Sequence, residues 1–217
     1  MHVPPLIRGP LVVCSASLVF GLFLFALGIV FLLESGLGLS PWDVLAQGIS
    51  DHTPLSFGTA SIVIGVCVLA VAWALGARIG PGTVANAVLI GLMIDGLTSI
   101  GAIDSLSDTT LAVRVVLMVG GITIIGIGSG FYIGAGMGAG PRDSLMLVTA
   151  RRLGVRIGVT RAILEIAAAL TGFALGGTVG VGTVAFAFGI GPAVELSFWL
   201  LAHSPIADVP PDASHAV

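Results

Sequence analysis

Gly36-Leu37-Gly38-Leu39-Ser40-Pro41-Trp42-Asp43 is written twice in this chain: one hundred residues later stands Gly136-Met137-Gly138-Ala139-Gly140-Pro141-Arg142-Asp143. Both copies keep the skeleton G-x-G-x-x-P-x-D, and both follow a long apolar run. Gly36 and Gly38 break a helix, and Ser40-Pro41-Trp42-Asp43 restarts one. Ser40 suits the N-cap, Pro41 the first helical position and Asp43 the third, a capping box with Asp in place of Glu. The helices so started, over 40–51 and 140–152, are expected to be about 15 Å long. A bilayer core is about 30 Å thick, so each short helix either lies along the interface or dips in and returns.

The repeat extends well beyond the signature. Between residues 21 and 95 a shift of one hundred needs no gap. Gly28 meets Gly128, Phe31 meets Phe131, and Ala74-Leu75-Gly76 meets Ala174-Leu175-Gly176. Gly80 and Gly82-Thr83-Val84-Ala85 recur as Gly180 and Gly182-Thr183-Val184-Ala185, and Asp95 is mirrored by Glu195. Chance matches of Gly and Ala are common in apolar sequence, but a gapless register that carries Pro and Asp is not.

Composition states the solvent. Of 217 residues, 56% are hydrophobic and 9% charged, with a mean hydropathy of +1.14. A soluble domain carries about 25% charged residues, so this chain lacks the polar surface to face water all round. The bilayer is its natural partner. All eight basic residues are Arg, the net charge is −3 and no basic stripe exists, which argues against nucleic acid. Cys14 and Cys67 each lie inside an apolar run, so neither a metal-ligand spacing nor a disulfide framework can be built from them.

Six segments are long and apolar enough to span: Leu11 to Leu33, Phe57 to Gly76, then about 83–100, 110–133, 157–176 and 181–202. The first covers about 34 Å as a helix and is too long for the h-region of a secretory signal. We therefore expect an all-α membrane protein of six transmembrane helices, built as two inverted 3+3 repeats, each with one short interfacial or re-entrant helix. The parts are a cytoplasmic N-terminus 1–10, repeat 1 over 11–101, a linker 102–109, repeat 2 over 110–202 and a disordered tail 203–217.

Inversion follows from the odd number of spans per half, and the charges test it independently. With the N-terminus in the cytoplasm, Arg8, Arg78, Arg142, Arg151, Arg152 and Arg156 all fall in inner loops, with Arg161 just inside the fifth span. Only Arg114 falls near the outer face, where Glu34, Asp43, Asp51, Asp104 and Asp108 gather. This is the positive-inside pattern; spanning short helices would make the repeats parallel and scramble it. The two signatures are then expected on opposite faces, with both termini in the cytoplasm.

With Gly38-Leu39-Ser40-Pro41-Trp42-Asp43, Gly138-Ala139-Gly140-Pro141-Arg142-Asp143, Gly80-x-Gly82-Thr83 and Gly180-x-Gly182-Thr183 in view, the chain resembles the bacterial YczE/YyaS/YitT membrane proteins, closest to the YczE branch. The likeness covers nearly everything but the tails. It implies a polytopic protein of a bacterial inner membrane with transport as the presumed role, and it brings no catalytic residues.

The candidate chemistry is ionisable side chains in apolar surroundings. Asp95 and Glu195 each lie about 20 Å into a span. Acids there are costly and usually face a bundle interior or a wet cavity, unless close enough to a surface to stay hydrated. Glu165, mirrored by Gly65, stands one turn beyond Arg161, so an intrahelical pair is its plain explanation, and Asn86 could serve an interhelical hydrogen bond. Asp95, Glu195, Glu165 and Asn86 are the expected pathway residues. Asp43 and Asp143 either mark the mouths of a pathway or cap their own helices; Trp42 reads as an interfacial anchor, and Arg142 as a residue obeying the charge rule. Gly191-Pro192 predicts a kink in the sixth span, and the glycines at 120, 121, 126, 128, 130 and 134 predict close helix packing.

No G-x-S-x-G, H-E-x-x-H or phosphate loop occurs, so neither an enzyme, a cofactor, a metal nor a nucleotide-driven pump is expected. The reading is a transporter or channel for a small solute, acting where the two repeats meet. The alternative is a non-transporting accessory protein that supports another membrane or biosynthetic system. A homodimer through the Gly-rich faces is compatible with either.

Overall fold

The computed structural model describes residues 5–100 and 109–208. After a two-residue strand β1 (Leu6–Ile7) come the helices α1 (Leu11–Ser35), α2 (Pro41–His52), α3 (Phe57–Ala74) and α4 (Pro81–Thr98). The second half repeats the order as α5 (Leu111–Gly134), α6 (Pro141–Leu153), α7 (Ile157–Ala174) and α8 (Val181–Ala202), before strand β2 (Ala207–Asp208). Among the described residues six helices, α1, α3, α4, α5, α7 and α8, are long and apolar enough to cross a membrane. The short helices α2 and α6 appear where the two signatures predict them. Most of the linker 102–109 and residues 209–217 of the tail lie outside the described residues. The disordered reading of the tail does not hold at its start: Ala207 and Asp208 pair antiparallel with Ile7 and Leu6.

The centre of the bundle is the antiparallel pair α1 and α5. Ser17 donates to the Phe131 carbonyl at 3.1 Å near one end, and Arg114 Nε donates to the Ser35 carbonyl at 2.6 Å at the other. Between those ends the backbones nearly touch. A methyl group at Gly28 would stand 2.6 Å from Ile125 Cγ1 and 2.7 Å from the Gly121 carbonyl oxygen. Between helices in lipid, where no hydrophobic effect drives association, such close approach of small residues supplies the dispersion energy. Gly126, Gly130 and Gly134 meet Ala193, Ser197 and Leu201 in the same order, so α5 and α8 run parallel. The expected role of the α5 glycines in packing is what they do, except that Gly120 touches only Phe31, at 3.9 Å.

The halves are interlocked and not set side by side. Short helix α2 packs on α7 of the other half, with Gly172 giving room for the α2 backbone at Val44 and Leu45, while α6 packs on α3. The loops exchange partners too: the Gly182 amide donates to the Leu37 carbonyl at 2.7 Å, and the Gly82 amide to the Met137 carbonyl at 2.9 Å. Gly38 and Gly138 sit at these crossings with φ of 119° and 125°, and a Cβ there would collide with the hydroxyls of Thr183 and Thr83. Only glycine combines that backbone with that closeness. The signature glycines are therefore joints between halves.

One pair of helices breaks the correspondence. Helix α3 lies tightly along α4, whereas the equivalent α7 and α8 are barely in contact.

Candidate functional site

The α2 and α6 helices both begin inside the bundle, and their first turns meet. Ser40 caps α2: its hydroxyl accepts from the Asp43 amide at 3.4 Å and also donates to the Asp43 carboxylate. The Ser40 half of the predicted capping box is thus formed, while the Asp43 carboxylate takes the Ser40 hydroxyl in place of its backbone amide. Gly140, in the Ser40 position of the second copy, offers no side-chain cap, and the Asp143 carboxylate instead accepts from the Tyr132 hydroxyl at 3.2 Å.

Here the structure departs from the expectation that the signatures occupy opposite faces. Their glycine ends lie at opposite ends of the antiparallel α1–α5 pair: Leu37 is bonded at the start of α8, and Met137 at the start of α4. Their Pro-x-Asp ends converge, because each extended run of a few residues carries the chain back into the bundle before its helix starts. Arg142 Nη2 lies 3.6 Å from Asp43 Oδ1, and the guanidinium sits 5.4 Å from the centre of the Trp42 ring. Trp42 and Arg142 both line the cavity described next, and Arg142 stands in the first turn of α6.

Around this meeting point lies a cavity of about 190 Å³. Its polar lining includes Ser40, Asn86, Arg142, Asp143, Arg161 and Glu165, with Trp42, Tyr132 and Phe25 among its aromatic walls. Arg161 Nε donates to Glu165 Oε1 at 2.9 Å, the intrahelical pair that the spacing predicts. Asp43 is 1% exposed, and its Oδ1 receives no hydrogen bond; the 3.6 Å approach of Arg142 is an ion contact only.

The charges of the site nearly balance. Three carboxylates (Asp43, Asp143 and Glu165) face two guanidinium groups (Arg142 and Arg161), leaving one formal negative charge. Each helix N-terminus contributes about +0.5 charge, and two of them offset that charge. So an apolar bundle holds, between its halves, a concentrated and almost neutral set of fixed charges. Such groups are expensive in a bilayer and mark function by default.

The four expected pathway residues divide. Asn86 and Glu165 line the cavity; Asp95 and Glu195 do not. Asp95 accepts from the Ser56 hydroxyl at 2.5 Å, the Gly58 amide at 2.9 Å and the Thr59 hydroxyl at 3.2 Å, so it caps the first turn of α3. Replacing Asp95 by alanine removes three hydrogen bonds from a helix start and is expected to cost about 1–2 kcal/mol, read as a lower thermal midpoint in detergent. Glu195 is exposed on α8 and has no hydrogen bond or ion pair among the described residues. Tyr132 was missed altogether. As the only tyrosine in the chain, and inside an apolar span, it carried a signal that could have been read.

The fold and the apolar helices define a multi-pass helical membrane protein. The chain belongs to the family described as "Family of unknown function (DUF6198)", which matches residues 15–198. It is 39% identical over 188 residues to an "Uncharacterized protein" of Haemophilus influenzae, covering 87% of this chain and 84% of that one. It is 35% identical over 167 residues to the "Uncharacterized membrane protein YczE" of Bacillus subtilis, covering 76% of this chain and 75% of YczE. A third relative is the "Uncharacterized protein YyaS" of Bacillus subtilis, 28% identical over 135 residues, with 59% and 64% covered. The YczE-like resemblance of the signature motifs stands. No solved structure matches.

Proposed function

We propose that this protein moves a small polar solute across the bacterial cytoplasmic membrane, through the site where two inverted repeats meet. The observation that carries the reading is the head-to-head start of α2 and α6 in a charged cavity between the halves. Broken or short helices whose ends converge on an interior site recur in secondary transporters, where they supply partial charges and backbone polar groups to the solute. In this reading α2 and α6 are re-entrant.

Inversion is supported by the antiparallel α1–α5 pair and by the reciprocal loop contacts of Leu37 with Gly182 and Met137 with Gly82. Arg152 bonds the Leu75 carbonyl at the end of α3, while Arg114 bonds Ser35 and Gly36 at the end of α1, at the opposite end of the bundle. The positive-inside rule then puts the Arg152 end, and both termini with it, in the cytoplasm. Arg142, Asp143, Arg161, Glu165 and Asn86 are the solute-facing groups, with Asp43 holding Arg142 in place.

The test is flux. Purified protein in proteoliposomes is expected to take up at least one member of a broad metabolite panel, with or without a pH gradient. Asp143→Asn is expected to reduce that uptake about tenfold or more, since intramembrane acids on a transport route act through their charge. A panel in which nothing moves would count for the rival reading, a non-transporting accessory protein. That rival needs no polar cavity between the halves, and the cavity weighs against it.

A further inference from the structure

We propose that α7 and α8 form a gate that closes at the Glu195 end, with Glu195 latching onto Arg156 and the first turn of α7. This rests on the reading of two related halves, and it adds to the transport reading the place where access is controlled.

The first half shows the closed form of the seam. Gly58 lies against the Gly91 backbone, Ile62 packs onto Gly91, and Ala87 packs against Gly65. Asp95, from α4, bonds the Gly58 amide and the Ser56 hydroxyl and so ties the start of α3 to the end of α4. One hundred residues on, Gly158, Ala187 and Gly191 recur while Ala162 and Glu165 stand in place of Ile62 and Gly65, and the two helices are not joined. Gly158 and Gly191 have nothing within 4 Å of where a side chain would begin. Arg156, the N-cap residue of α7, makes no side-chain cap bond, whereas Ser56 and Asp95 serve α3. Glu195 stands exposed on a helix rich in Phe, Leu and Trp, about 10 Å from the end of α8.

The substitutions are matched in chemistry. Where Ser56 donates to Asp95, the second half has Arg156 and the longer acid Glu195. A base and a long acid reach across a wider gap than a hydroxyl and a short one. A helix N-terminus without a cap gains from a carboxylate, and an acid on a lipid-facing surface gains from being covered. Closure satisfies both groups at once. Arg161 and Glu165 of α7 and Phe186, Ile190 and Val194 of α8 all line the cavity, so the gap between these helices borders the site. Glu165 stands where Gly65 lets α3 approach Ala87, so the seam stays wider at that level and shuts at the Arg156–Glu195 end.

The test is cross-linking of the full chain in nanodiscs, with Cys14 and Cys67 replaced by alanine. Val155→Cys with Trp199→Cys is the reporting pair: Val155 adjoins Arg156, Trp199 lies one turn beyond Glu195 on the same face of α8, and both are exposed and outside the Gly158–Gly191 crossing, where a Cβ would block closure. Val155→Cys with Phe188→Cys, the latter at 80% exposure on α8, is the control. Copper-phenanthroline is expected to close the reporting pair at least about tenfold faster than the control, because even a closed state populated to about 1–10% is captured by an irreversible cross-link. Glu195→Gln and Arg156→Gln should each slow it about fivefold, the scale of one partly exposed ion pair. Combining them should slow it no further than either alone, and Arg156→Glu with Glu195→Arg should restore the rate. Equal rates for reporter and control, or additive effects of the two neutral substitutions, would overturn the latch. Closure is read without any solute, so cross-linking that succeeds while flux fails removes the transport reading and leaves the gate, and the reverse removes the gate alone.

Discussion

Replacing Arg142 by methionine is expected to destabilise the protein by about 3 kcal/mol, the lower end of the cost of stripping a buried carboxylate of its partner. Asp43 is 1% exposed, its Oδ1 has no hydrogen-bond donor, and Arg142 is the cation beside it at 3.6 Å. The lower end applies because the Arg142 side chain is itself 32% exposed and its contact is longer than a hydrogen bond. Methionine keeps much of the volume against Trp42 while removing the charge. Adding Asp43→Asn should recover most of the loss, since an amide in that place bears no unpaired charge and can still pair with the Ser40 hydroxyl. Thermal unfolding of the two variants in one detergent separates these outcomes. Equal stability of Arg142→Met and the native chain would mean that water in the cavity, and not Arg142, compensates Asp43.

The second large effect belongs to the α1–α5 crossing. Gly28→Leu is expected to cost more than about 3 kcal/mol, above the usual overpacking range, and to prevent accumulation of folded protein. The reason is what the new side chain meets. A Cβ there already stands 2.7 Å from the Gly121 carbonyl oxygen and 2.6 Å from Ile125, and backbone cannot yield as a flexible side chain can. Gly120→Leu, one position along the facing helix, is the control: its nearest neighbour is the Phe31 ring at 3.9 Å, so the change should be tolerated. Size-exclusion profiles of the two variants as fluorescent fusions report the difference directly. A folded Gly28→Leu protein would show that the two central helices can separate without loss of the fold.

These expectations draw unequally on sequence and structure. The helix list was legible because apolar length and Gly/Pro punctuation are local properties. Ser40 and Pro41 took the cap and first helical positions that their order predicts, and Arg161–Glu165 formed the pair that their spacing predicts. The site was half legible. Asn86 and Glu165 stood out as polar residues in apolar runs and do line the cavity, but Asp95 stood out in the same way and turned out to cap α3. Depth along a helix says how far a residue lies from its end. It does not say which neighbour meets it there.

What the chain by itself determined is the number of spans, the duplication and the place of each short helix, since all three reside in composition and in register along one strand of text. Only the tertiary structure decided that the Pro-x-Asp ends of two signatures, one hundred residues apart, face one another, and that their glycines join one half to the other. It also decided that the same seam is closed between α3 and α4 and open between α7 and α8. The physical reason is that these are contacts between distant segments. Their geometry is set by how closely Gly-lined backbones approach, a property of pairs of helices that neither helix carries alone.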